Sequence, residues 1–230
     1  MAPTKQVTSR RPAAKAKKAS RPATKTVAAR RNGSTARRAT SSASQSRRAQ
    51  PDAIALLKAD HRTVEKLFKA FEKAGDNAYR TKRKLVDDII RELSVHAAIE
   101  EQFLYPAARR EVANAEDDVL EAMEEHHVAK WILSELESMD PKNERFDAKV
   151  TVLIESVRHH VREEEQELFP ELRAGMGRKE LVELGAKLSE GKRLAPTRPH
   201  PRAPDEPPGN LIAGAMAGMV DRARSAVTSR

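Results

Sequence analysis

The chain has no cysteine among its 230 residues. Disulfides, thiolate metal sites, iron–sulfur clusters and cysteine nucleophiles are therefore excluded, and the composition is compatible with a reducing compartment. No run approaches the roughly 18 apolar residues of a spanning helix, and no secretory apolar segment follows Met1. Aromatics are scarce, with one Trp, two Tyr and five Phe. Acid is missing from one region only. Of the 43 Lys and Arg residues, 14 fall in residues 1–50, which hold no Asp or Glu. The other 180 residues carry the remaining 29 basic side chains against all 34 acidic ones, a net of −5 within the overall +9. A strongly basic leader precedes a mildly acidic body.

Residues 1–50 are dominated by Ala, Ser, Thr, Pro, Lys and Arg. Such a segment buries too little to offset its ordering entropy and reads as disordered. From Asp52 apolar residues recur every three or four positions, as at Ile54, Leu57, Val64, Leu67, Phe68 and Phe71. That period predicts an amphipathic helix. Three more follow, over about Tyr79–Leu104, Glu116–Ser138 and Glu144–Leu168. "AGDN" and "MDPKN" supply turn chemistry between them, and Pro106 and Pro170 are expected to end or bend their helices. The predicted fold is all-α, an up-down-up-down four-helix bundle over residues 51–175. A short helical extension is expected within 176–194, then an unpacked Pro-rich linker over 195–209, then a short C-terminal helix or tail within 210–230.

One sentence is written twice. "HAAIEEQFLYPAAR" (96–109) and "HVREEEQELFPELR" (160–173) agree at seven of fourteen positions. Upstream, "HRTVEKLFKAF" at His61 parallels "HHVAKWILSEL" at His126. The separations are 65 residues for His61 to His126 and 64 for His96 to His160, so the bundle is two copies of one helical hairpin. Each copy brings a single His on its first helix and a His-x-x-x-Glu on its second, and that spacing puts both groups on one helix face.

The face is the apolar one. His96 lies on the stripe of Ile89, Leu93, Ile99 and Phe103, and His160 on that of Leu153 and Val157. His61 sits among Leu57, Val64 and Phe68, and His126 among Val119, Met123 and Leu133. The copy alignment turns His126 and His160 inward and leaves His127 and His159 at the rim. Four imidazoles and two carboxylates, Glu100 and Glu164, are thereby aimed into a small core. Buried unpaired, such groups cost several kcal/mol or more, and bound cations remove that cost. If Glu100 and Glu164 each bridge, two cations receive two His nitrogens and two carboxylate oxygens apiece. Nitrogen and oxygen ligands without thiolate suit iron or manganese, and also admit zinc. Glu101 and Glu165 also recur in both copies and read either as solvated carboxylates or as ones that orient a ligand His. Tyr105 stands where the other copy has Phe169 and reads first as a helix-end packing residue, with a ligand or redox role for its phenol near the predicted centre as the alternative. Glu65, whose counterpart is Lys130, reads as a surface residue.

The blocks "ADHRTVEKLF", "HAAIEEQFLYP", "EEHHVAKWIL" and "HVREEEQELFP" resemble those of the hemerythrin-like HHE cation-binding domain family, over roughly Asp52 to Arg173. The resemblance implies a non-haem di-iron centre that binds O2 or related molecules. It brings in sensors of iron, oxygen or nitric oxide, and members that decompose peroxide. Oxygen-carrying hemerythrins have a His-x-x-x-His on the third helix and end in an Asp ligand. Here His126 is followed at that spacing by Lys130, and the last candidate ligand is Glu164, which argues against reversible O2 transport.

The leader resembles the Lys/Ala/Pro tails of histone-like proteins. Its cations would neutralise phosphates without sequence preference, and its lack of aromatics argues against base stacking. A solubilising tail or a transit peptide has the same composition. The leading expectation is a cytoplasmic di-iron protein that binds or reacts with O2, peroxide or nitric oxide, with nucleoid association through the leader. The alternative is a nucleic-acid-associated protein whose bundle is a structural or metal-storage module.

Overall fold

A computed structural model describes residues 51–228; the predicted basic leader lies outside them. The described residues form eight α-helices and two π-helical turns, and they contain no strand. Helix α1 (Ala53–Glu72) starts at Asp52, whose Oδ1 accepts a hydrogen bond from the Ala55 N–H at 2.8 Å. That side chain satisfies one of the donors a helix start leaves unpaired. Helix α2 (Tyr79–Ile99) passes through a π-turn (Glu100–Leu104) into α3 (Tyr105–Glu111). After α4 (Glu116–Ser138), the design repeats: α5 (Phe146–Glu163), a π-turn (Glu164–Leu168) and α6 (Phe169–Gly175). Helix α1 packs on α2, α4 on α5, and α2 on α4. Arg158 of α5 closes the remaining side, donating to both Glu65 and Glu72 of α1. Glu65 is thus half-buried in an ion-paired seam.

The two prolines do not end their helices. Pro106 and Pro170 are each the second residue of a further two-turn helix. Proline cannot donate, and its ring clashes with the carbonyl four residues earlier in a regular α-helix. The preceding turn is widened instead, with the Tyr105 N–H bonding Glu100 O and the Phe169 N–H bonding Glu164 O. Both copies therefore carry a π-turn that opens on the repeated Glu.

Two apolar clusters fill the bundle. One holds Ile54, Leu57, Leu104, Leu168 and Leu172, and the other Val64, Phe68, Ile89, Leu133, Phe146 and Leu153. Each of these aliphatic and aromatic side chains contributes on the order of 1.5–3 kcal/mol by leaving water. His61, His96, His126 and His160 form a polar layer between the clusters. On α1, for example, Leu57 belongs to the first cluster and Val64 to the second, with His61 between them.

The chain beyond the bundle is more ordered than expected. Helix α7 (Arg178–Leu194) packs on α1, α2 and the first π-turn. A side chain at Gly191 would collide with the Phe103 ring at 2.5 Å, and one at Gly185 with the Pro51 carbonyl at 2.6 Å. Glycine is what lets α7 lie this close. The segment expected to be an unpacked linker is pinned down instead. Asp205 pairs with Lys130 at 2.6 Å, Glu206 with Arg109 at 2.9 Å, and Arg198 with Glu137. Proline-rich composition lowers the entropy lost on ordering, and its flanking charges found partners on α3 and α4. Helix α8 (Gly209–Thr228) then runs against α7 and the first π-turn.

Candidate metal centre

The four buried imidazoles meet in pairs. Nε2 of His61 lies 3.1 Å from Nε2 of His96, and Nε2 of His126 lies 3.1 Å from Nε2 of His160. The carboxylates cross between the pairs. Glu100 Oε2 is 3.1 Å from His96 Nε2 and 3.5 Å from His126 Nε2, while Glu164 Oε2 is 3.4 Å from His61 Nε2 and 3.6 Å from His160 Nε2. Each Glu thus faces one His of its own hairpin and one of the other. One atom each from His61, His96, Glu100 and Glu164 lies within 4.8 Å of the others, and the same holds for Glu100, His126 and His160.

The polar accounting fits a cation. Both oxygens of Glu100 and Oε2 of Glu164 are buried without a hydrogen-bond partner. Buried polar groups are almost always paired, and an unpaired buried carboxylate is among the costliest groups a core can hold. Positive charge held between Nε2 lone pairs and these oxygens would supply the missing partner.

The other ring nitrogens explain why the Nε2 atoms point inward. His61 Nδ1 donates to Glu165 at 2.9 Å, His126 Nδ1 to Glu101 at 3.0 Å and His160 Nδ1 to Glu125 at 2.8 Å. His96 Nδ1 faces Asp60 at 3.7 Å. An outer carboxylate of this kind fixes the tautomer and raises ligand basicity. Glu101 and Glu165 were anticipated from the repeat; Asp60 and Glu125 were not. Their signal was present, since each is the acidic residue directly before the lone His of its first helix.

Burial dominates the electrostatics. It pushes His96 down to about 4 and also lowers His126, so both rings are neutral in the folded protein near pH 7. Burial likewise raises Glu100 well above the usual carboxylate range, assisted by the charge of Glu164. Glu164 meets the same penalty, but His160, His61 and His96 outweigh it and hold Glu164 low. At His160, burial is overcome by the charge of Glu164 and the bond to Glu125, so its pKa is raised.

Tyr105 is buried with its hydroxyl 3.2 Å from both His126 Nε2 and Glu164 Oε1. Burial raises its pKa well above that of a free phenol, so it stays protonated and donates into the centre. Phe169, its counterpart, stacks on His61 with ring centroids 5.8 Å apart. His127 and His159 point elsewhere: His127 accepts from Trp131 Nε1, and His159 pairs with Glu163 at 3.2 Å. Beside the His layer lies a small cavity lined by the four imidazoles and by Val64, Leu93, Leu133 and Val157, with Glu125, Lys130 and Ser156 also at its wall.

A helical bundle with buried, outwardly braced His and Glu groups defines a metal-binding class of protein. Within that class the chain belongs to the hemerythrin HHE cation-binding domain family, whose sequence model matches residues 52–172. It is similar to an uncharacterized hemerythrin-like protein of Schizosaccharomyces pombe, 28% identical over 166 residues, covering 72% of this chain and 81% of the relative. It is also similar to a DNA nickase of a Nostoc species, 26% identical over 137 residues, covering 60% of this chain but only 38% of the nickase. The fold matches the crystal structure of a hemerythrin HHE cation-binding domain-containing protein from Mycobacterium kansasii. There the TM-score is 0.54 at 24% identity, over 62% of this chain and 86% of that one. Among the described residues no helix is long and apolar enough to cross a membrane.

Proposed function

We propose that His61, His96, His126, His160, Glu100 and Glu164 hold two iron ions, and that the centre binds or reacts with O2, peroxide or nitric oxide. The observation that carries this reading is the set of buried carboxylate oxygens without a hydrogen-bond partner, both of Glu100 and one of Glu164, among four converging Nε2 atoms. Six nitrogen and oxygen donors without sulfur suit iron, with manganese and zinc as the other admissible metals. Iron so held supplies affinity for small oxygen or nitrogen species and the capacity to change oxidation state. The residues do the rest. Glu165, Glu101 and Glu125 keep three Nε2 atoms turned inward. Tyr105 offers a hydroxyl proton at the edge of the centre. The aliphatic cavity wall admits a diatomic or similarly small molecule and disfavours bulk water. The test is metal content and visible spectrum after expression with iron, followed by peroxide consumption with and without the metal. A protein that takes up no iron ends this reading.

A second reading, association with nucleic acid, is favoured by the 14 basic residues of an acid-free leader and by similarity to a protein named a DNA nickase. Its test is a DNA-binding assay with and without residues 1–50.

A further inference from the structure

Four carboxylates back the four imidazoles, and they are not held alike. Lys58, from within the family domain, pairs with Glu165 at 3.2 Å. Asp60 directly, and Glu101 through Lys130, answer to residues beyond it. Lys192 of α7 donates to Asp60 Oδ1 at 2.5 Å. Lys130 binds Glu101 at 2.7 Å and is itself clamped by Asp205 of the C-terminal segment at 2.6 Å. The consequence is visible at His96. Three imidazoles bond their carboxylates at 2.8–3.0 Å, whereas the His96–Asp60 separation is 3.7 Å. His96 Nδ1 and Asp60 Oδ2 are both buried without a hydrogen-bond partner. The Asp60 carboxylate has been drawn to the lysine and away from the ring.

We propose that the C-terminal extension is a working part of the centre, with Lys192 and Asp205 as positioning residues that set how firmly His96 and His126 are braced. The proposal rests on the metal-centre reading above. Lys192 competes with His96 for Asp60, so α7 holds one imidazole loose. Asp205 shares Lys130 with Glu101, so the ammonium is not drawn to Glu101 alone and Glu101 Oε1 keeps its bond to His126. The two contacts act in opposite senses: Lys192 loosens a ligand, and Asp205 tightens one. Outer-sphere partners of this kind typically change metal affinity by about 10–100-fold.

The test uses the full chain and two readouts. In Lys192→Met, Asp60 closes on His96, and iron loss to a competing chelator slows by about tenfold; Lys192→Arg restores the original rate. In Asp205→Asn, Lys130 pulls wholly on Glu101, and iron loss quickens. Arg198→Ala cuts a different tie of the same segment, to Glu137, and leaves the rate unchanged. Independently of metal, NMR of the iron-free protein should show the His96 Nδ1–H becoming protected from exchange in Lys192→Met. A wild-type protein that takes up no iron fails the earlier reading and leaves the NMR result to judge this one. The inference is overturned if that N–H is equally protected in both proteins. It is overturned equally if Lys192→Met and Asp205→Asn change iron loss in the same direction.

Discussion

Glu100 is fully buried, and neither of its oxygens has a hydrogen-bond partner. Only a proton or a cation can neutralise it. Burial and the neighbouring Glu164 charge raise its pKa well above the usual carboxylate range, so the metal-free protein holds that proton to higher pH than an ordinary carboxyl does. His96, lowered to about 4, has already lost its own. Metal uptake should therefore expel protons from Glu100 and His160, whose pKa values are raised, and none from His96 at pH 7. Apparent affinity should rise with pH up to the folded Glu100 value and fall as acid returns the proton, with His96 competing only near pH 4. Calorimetric titration in two buffers of different ionisation enthalpy measures the released protons, and uptake without release would contradict the assignment. His96→Ala and Glu164→Ala should each lower bound iron at least tenfold, while His127→Ala, whose ring bonds Trp131, should not. Equal losses from all three would refute the inward and outward assignments. The inward residues were legible because His and Glu at i and i+4 fall on a stripe of aliphatic neighbours, twice. The outer partners were harder, because Glu165 serves a His 104 positions away and Lys192 an Asp 132 positions away. No local period encodes such pairings.

The element that carries the candidate ligands is not a plain helix. Each repeated Glu opens a π-turn, and each π-turn precedes a proline. From sequence, Pro106 and Pro170 read as helix ends, because periodicity reports which face is apolar but not whether one turn holds an extra residue. The π-turn is a compromise between a missing donor and a core that needs Leu104, Tyr105, Leu168 and Phe169 buried at its end. Such turns recur at functional sites, and here the proline locks the widened geometry. Changing both prolines to Ala removes the ring clash and returns a donor, so each turn can relax toward regular α-helix. The expected result splits stability from binding. Stability of the metal-free protein should change by no more than about 1 kcal/mol, the range typical of compatible Pro changes, while iron affinity falls about tenfold. Unchanged affinity with unchanged helicity by circular dichroism would show that the π-turns do not place the Glu residues.

At the scale of the whole molecule, the buried polar layer sits between two apolar clusters that fold around it. Metal should therefore act as a folding ligand. Free metal at 100 times its Kd contributes about 2.7 kcal/mol, which for a domain of this size raises Tm by roughly 5–10 °C. Chelation should reverse that rise. The extension after the family domain belongs to the same account, since α7 lies on α1 and α2. Its helix was legible in the sequence, but its packing was not: proline and charge predict an open linker until Lys130, Arg109 and Glu137 are placed opposite Asp205, Glu206 and Arg198. The basic leader poses a separate question, because its chemistry is that of phosphate neutralisation and that of the bundle is metal binding. Removing residues 1–50 should leave iron content and Tm unchanged while abolishing DNA binding that weakens with salt. For duplex DNA the logarithmic salt slope is about −0.9 per phosphate contacted, so a leader engaging even half its 14 cations would give a slope near −6. A flat salt response in the intact protein would leave the leader no role in holding nucleic acid.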